Sequence, residues 1–202
     1  NLTVSGANEA PSFENLDAAP EFPEHGDAVV LDSNATLTDP ELSVYNNWGE
    51  AILTLQRTEQ TGNEGTPTDD DVFGVTGSVN SGVNFNNSGI RIGTTVVGTY
   101  TNASGVLTIT FADGVTNAQA NQVLQAVTYE NTNNNPPDSV TIDYTINDGD
   151  TDPDQDDNGQ GTGGAKEGTG SITVSIIPNN DEPIISDVPA TGAYTEDADA
   201  IT

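Results

Sequence analysis

Oxygen-bearing side chains crowd this sequence in two patterns. One is an Asn/Asp/Glu run just ahead of a proline, at Asn8-Glu9-Ala10-Pro11 and again at Asn180-Asp181-Glu182-Pro183. The other is a loop with an acid at nearly every second position, through Asp148, Asp150, Asp152, Asp154, Asp156, Asp157, Asn158 and then Gly159. Carboxylates, amides and carbonyls held in turns are the donors of hard cations, and calcium takes six to eight of them at ~2.3–2.6 Å. Asp154-Gln-Asp156-Asp-Asn158-Gly159 matches the first half of an EF-hand-type loop, but Ala165 stands where the bidentate Glu belongs, and no convincing helices flank it. A solvated acidic loop or hinge is the alternative reading in each case. Asp69-Asp70-Asp71 reads as surface.

The wider composition favours the metal. Among 202 residues, 32 Asp and Glu face three Lys and Arg, for a formal net charge of −29. Such a field repels nucleic acid and anionic membrane and attracts cations. There is no cysteine, which excludes disulfides, thiolate ligands and cysteine nucleophiles. One histidine, His25, and one lysine, Lys166, leave no nucleophile–base pair. A glycosidase-like carboxylate pair would need a cleft with aromatic platforms, and the few aromatics read as core. The chain is therefore expected not to be an enzyme. His25, next to Gly26, reads as a turn residue before a ligand.

The elements that must position these acids are strands. High charge with low hydrophobicity can mean disorder, but here apolar and polar residues alternate in several stretches while the acids gather in loops. Strands are expected near Ala28–Leu31, Ala51–Gln56, Ile90–Ile92, Thr95–Thr101, Val106–Phe111, Val127–Tyr129, Val140–Ile146 and Ser171–Ile177. Thr116 is placed to cap a short helix of one or two turns from Asn117 to about Gln125. No apolar run approaches the ~18 residues a membrane helix needs, and no signal segment opens the chain.

The two ends share a grammar. Leu2-Thr-Val-Ser5 followed by Asn-Glu-Ala-Pro matches Ile172-Thr-Val-Ser175 followed by Asn-Asp-Glu-Pro, and Phe22-Pro-Glu24 matches Tyr194-Thr-Glu196. This is an internal repeat of about 171 residues. It implies a tandem array: 1–9 as the final strand of a preceding repeat plus linker, 10–178 as one complete domain, and 179–202 as a linker and the first strand of the next. In a sandwich whose successive strands reverse direction, Glu24 falls at the downstream pole beside Asn180 and Asp181. The same parity gathers Asp39, Glu41, Asp148 and Asp150 at the upstream pole, around Asn8 and Glu9.

An ordered series of motifs adds a resemblance: Val29-Val-Leu-Asp32, Asp39-Pro-Glu-Leu42, Ala51-Ile-Leu-Thr-Leu-Gln-Arg57, Asp71-Val-Phe73, Thr116-Asn-Ala-Gln-Ala120 through Tyr129-Glu-Asn-Thr132, Asp143-Tyr-Thr-Ile-Asn-Asp-Gly149 and Asn180-Asp-Glu-Pro183. Together these resemble the cadherin-like repeats of giant bacterial repetitive adhesins of RTX type. The resemblance implies an all-β, cadherin/immunoglobulin-like β-sandwich with one short helix, strung head to tail, exported to the cell surface or medium. It implies calcium at the junctions, with Glu24 and Glu196 matching the Glu late in a first strand and Asn180-Asp181 matching the linker run. The chain lacks the full linker and paired-acid motifs of animal cadherins.

The expected function is an extracellular structural or adhesive repeat whose calcium ions stiffen the array. Its metal ligands would come from Glu24, Asp39, Glu41, Asp148, Asp150, Asp154, Asp156, Asn158, Asn180, Asp181 and Glu196. Partners would be neighbouring repeats or copies of the same protein, or surface glycans and host or biofilm matrix, without nucleic acid and without membrane insertion. Two alternatives stay open: a glycan- or protein-binding module using Trp48 or the Thr151–Gly170 loop, and a filament subunit polymerising by strand addition.

Overall fold

A computed structural model describes residues 6–58, 67–75, 82–86, 89–150 and 160–181. The fold is all-β, with two helices among the described residues. In chain order the strands are β1 (Ser12–Glu14), β2 (Glu21–Pro23), β3 (Val29–Val30), β4 (Thr36–Thr38), β5 (Ile52–Arg57), β6 (Asp71–Val75) and β7 (Val83–Asn86). They continue as β8 (Gly89–Ile92), β9 (Thr95–Ala103), β10 (Val106–Phe111), β11 (Val127–Asn131), β12 (Ser139–Asn147) and β13 (Glu167–Ile177). The helices are α1 (Leu42–Tyr45) and α2 (Asn117–Ala126). No described helix is long and apolar enough to cross a membrane.

Alternation builds the largest sheet, ordered β2-β13-β12-β5-β10-β9-β8-β7. Along β12 the buried residues are Val140, Ile142, Tyr144 and Ile146, with their neighbours on the other face. Register then lines up apolar rows across strands: Ile146 faces Leu53, which faces Ile109, and Tyr144 faces Leu55, which faces Leu107. A slip of one residue would turn every one of these side chains to solvent. Ser104 and Gly105, both at positive φ, close the two-residue β9–β10 turn with the twist that antiparallel strands favour.

A second sheet, β3-β11-β6, and a pair, β1-β4, cover this face. Rings cross between the sheets: Phe22 of β2 meets Tyr129 of β11 at 6.2 Å, and Phe13 of β1 meets Tyr144 of β12 at 5.8 Å. A buried polar network ties the same layers. Arg57 of β5 pairs with Asp71 of β6 at 3.6 Å, and the Asp71 carboxylate also accepts from the Tyr129 hydroxyl at 2.6 Å and from Asn131 at 3.0 Å. Burial, with the Asp71 charge beside it, pushes the Tyr129 phenol far up. Asp71 is thus 2% exposed, and its expected surface role is corrected: the acid is the partner of a buried arginine.

Helix α2 starts as expected at Thr116, through a capping box with Gln119, but runs ten residues. Its length follows from Ala120, Val123, Leu124 and Ala126, which bury one side of it. Elsewhere β10 coincides with the expected strand, β5 is shifted by one residue, β3 keeps only the middle two of the four residues expected, and β8, β9, β11, β12 and β13 extend the expected strands by one to four residues at an end. The short strands β1, β2, β4, β6 and β7 and the single turn of α1 were not expected; most have too few residues for a period to show.

Asp32 does for the loops what Asp71 does for the sheets. Its buried carboxylate accepts the backbone N–H groups of Asp17, Ala18, Asn34 and Ala35 at 2.9–3.1 Å, fastening the segment ahead of β2 to the turn after β3. Removing it strands four donors, so Asp32→Ala should lower unfolding free energy by about 3 kcal/mol in urea titrations. A loss within experimental scatter would show that the loops need no such clasp.

Candidate metal centres

The strand pairings set two poles. Ser12 of β1 pairs with Thr38 of β4, so the segment before β1 and Asp39 after β4 lie at one end. Asn147 closes β12 opposite Glu167, which brings Asp148 to that end as well. At the other, β2 runs parallel to β13 with Ile177 beside Pro23, setting Glu24 against the chain leaving β13.

At the upstream pole, Gly6–Asn8 lies against Thr162: the Asn8 N–H donates to the Thr162 carbonyl at 2.9 Å and the Thr162 N–H to the Gly6 carbonyl at 3.0 Å. The Asn8 side chain donates through Nδ2 to Asp148 Oδ2 at 2.8 Å and to the Gly164 carbonyl at 2.9 Å. This fixes the amide so that Oδ1, buried, meets no donor. Asp39 Oδ1 accepts from the Glu41 and Leu42 N–H groups at 2.9 and 2.7 Å, while its Oδ2 is buried without a partner. Glu41 Oε2 and Gln160 Oε1 are likewise buried and unpartnered. Asp150 is 4% exposed. Gly149, at φ 82, is required here because a Cβ would come within 2.5 Å of the Glu50 carbonyl oxygen.

Asp148 is fully buried and plays a different part. Its carboxylate accepts from Lys166 N at 3.0 and 3.1 Å as well as from Asn8, and its carbonyl accepts from Gln160 Nε2 at 3.3 Å. It organises the pole from within. Its charge still reaches Asp39, whose carboxyl is raised above its ordinary range by burial first and by Asp148 next, against the pull of the Leu42 and Glu41 N–H groups. Glu41 is raised by desolvation, then by the charges of Asp39 and Glu9. The structure links these residues in pairs at one pole: Asn8 with Asp148, Asp148 with Asp39, Asp39 with Glu41 and Glu41 with Glu9, while the Asp150 N–H donates to Asp148 and Gln160, for which no sequence pattern existed, bonds the Asp148 carbonyl. Among the described residues, no three of these acids present ligand atoms within 4.8 Å of one another.

At the downstream pole Glu24 is buried; its Oε2 accepts from the Asn179 N–H at 2.8 Å, and Oε1 has no partner. Glu24, His25 and Asp181 each present a ligand atom within 4.8 Å of the others, the one such tight group among the described residues. Asn180 is exposed, its amide donating to the Asp181 carbonyl at 3.3 Å. Asp154, Asp156, Asn158 and Glu196 lie outside the described residues. Trp48 offers no ligand platform: it is wholly buried, with its indole N–H on Asn117 Oδ1 at 2.8 Å.

Chemically, the upstream pole is an all-oxygen set of carboxylates and amides, suited to a hard divalent ion; the downstream pole mixes two carboxylates with an imidazole. No family model, curated protein or solved structure matches this chain.

Raised carboxyls give a pH signature. Because burial and neighbouring charge raise the Asp39 and Glu41 carboxyls above their ordinary values of 3.8 and 4.5, ionising them opposes folding. That opposition is complete above the raised values and fades as pH falls through them. In chelator, the melting temperature should therefore climb as neutral protein is acidified toward the carboxylate range, and Asp39→Asn should flatten the climb. Parallel profiles for the two proteins would remove Asp39 from the account.

Proposed function

We propose that this chain is an extracellular repeat of a large bacterial surface adhesin, in which calcium bound at the upstream pole fixes the approach of the incoming linker. In this reading the sheets form a cadherin-like β-sandwich, one unit of a tandem array that projects an adhesive tip or builds a fibre. The observation that carries it is the set of buried oxygens without donors, on Asn8, Asp39, Glu41 and Gln160, contributed by four separate segments. An unpartnered buried polar atom costs about 1–3 kcal/mol, and two of the four belong to carboxyls, Asp39 and Glu41, that interact with each other, so an ion at this pole would relieve both costs. A divalent cation suits them better than water, because the surrounding carboxylates repel one another until it binds. Asn8 lies in the linker run itself, so an ion held by it would join linker to domain. The repeat in the sequence supports the array, and the charge of −29 supports an ion-rich setting outside the cell.

Calcium should bind the 202-residue chain, and saturation at about a hundred times Kd should add roughly 2.7 kcal/mol of stability per site. Asn8→Ala and Asp39→Ala should each weaken that site by about tenfold or more in calorimetry, while Trp48 fluorescence reports an intact core. Calcium affinity unaltered in both variants would sink the assignment.

A further inference from the structure

We propose that Glu24, His25 and Asp181 form a second metal site of a different class, one that takes zinc or a similar borderline transition-metal ion at the downstream pole in place of the calcium that the sequence alone suggested for Glu24 and Asp181. The site shares no residue with the upstream one and does not rest on it. Its core is the Glu24 carboxylate: 95% buried by the 5% exposure of the residue, held by the Asn179 N–H through Oε2, and left with Oε1 facing no donor. His25 and Asp181 are exposed and bring their ligand atoms within 4.8 Å, leaving the approach open to an ion and a water.

The imidazole decides the class. Calcium uses oxygen donors and needs six or more; zinc is satisfied by three protein donors of nitrogen and oxygen plus a water. His25 Nε2 stands 3.3 Å from Asn134 Oδ1. With Nε2–H donating to that oxygen, Nδ1 keeps its lone pair for a metal, and the ring is oriented by the loop between β11 and β12. The backbone agrees in one respect: His25 sits at φ 60, inside the Pro23–Gly26 turn, which aims the ring at a conformational expense glycine would not incur. An ion here would pin the turn after β2 to Asp181, and so fix the direction in which the chain leaves β13.

The test is zinc calorimetry on the whole chain in excess calcium, beside His25→Gly. Glycine accepts the left-handed backbone, so the variant should fold at least as well as the parent while losing the ligand. One zinc should bind the parent despite calcium, with the His25 ring resonances shifting in step, and His25→Gly should bind it at least about tenfold more weakly. Cobalt should give the visible absorption of a low-coordinate site in the parent alone. Zinc uptake equal in both proteins, complete displacement by calcium, or unmoved imidazole resonances would each overturn the proposal. Calcium titration of the same two proteins, expected to agree, separates this outcome from the fate of the upstream site.

Discussion

Everything in this molecule is arranged around a shortage of positive charge. Three Lys and Arg serve 32 Asp and Glu, and one of the three, Arg57, is spent inside on Asp71. Of the others, Lys166 reaches the Gly163 carbonyl and Arg91 that of Thr94. A buried carboxylate therefore has three courses. It can take the scarce cation, as Asp71 does; it can collect N–H donors, as Asp32 and Asp148 do; or it can be left with an oxygen unmet, as in Asp39 and Glu24. The first two are complete within the chain and build the fold. The third occurs at the two poles, where an ion from outside can finish it.

The sheets decide which carboxylates meet which course. Antiparallel pairing of β1 with β4 and of β12 with β13 sends the residues after Thr38 and after Asn147 to one pole, though more than a hundred positions part them. Parallel pairing of β2 with β13 does the same for Glu24 and Asn179 at the other. The rigidity of these ends derives from rows such as Ile146, Leu53 and Ile109, whose burial stabilises the register. Loop acids that would be a diffuse cloud in an unfolded chain become neighbours only because the apolar alternation is strict.

That alternation is also what made the fold legible. Long strands such as β10 and β12 declare themselves by period two, and Thr116 with Gln119 declares a helix start. Two- and three-residue strands carry no period, and their pairing is decided by neighbours far away in sequence. Among the site residues, Glu24, Asp39 and Glu41 followed from strand parity alone. His25 could have followed from the same parity, since it adjoins Glu24, but its glycine neighbour read as a turn, which it also is. Gln160 and Asp32 gave no signal, because an amide or an acid in a polar loop becomes informative only when burial is known. Asp71 was hidden at the end of a triplet of identical residues whose other members, Asp69 and Asp70, are exposed and half-buried.

Leaving oxygens unmet inside a fold has a thermodynamic consequence. The upstream pole is assembled from the linker, the β4–α1 turn, the turn after β12 and the segment around Gln160, held to one another by the Asn8–Asp148 bond, the bonds of Gln160 and Lys166 to Asp148 and the backbone pairing of Gly6 and Asn8 with Thr162. With carboxyls there resisting ionisation and buried oxygens unmet, the pole lacks the complete pairing that the β12–β5–β10 core has. A cation that bound only the assembled arrangement would repay that deficit at the pole and nowhere else, coupling ion binding to local order without altering the sheets. Stiffness of the linker would then follow the surrounding ion concentration while the domain itself stayed folded, because the two depend on different parts of the same sequence.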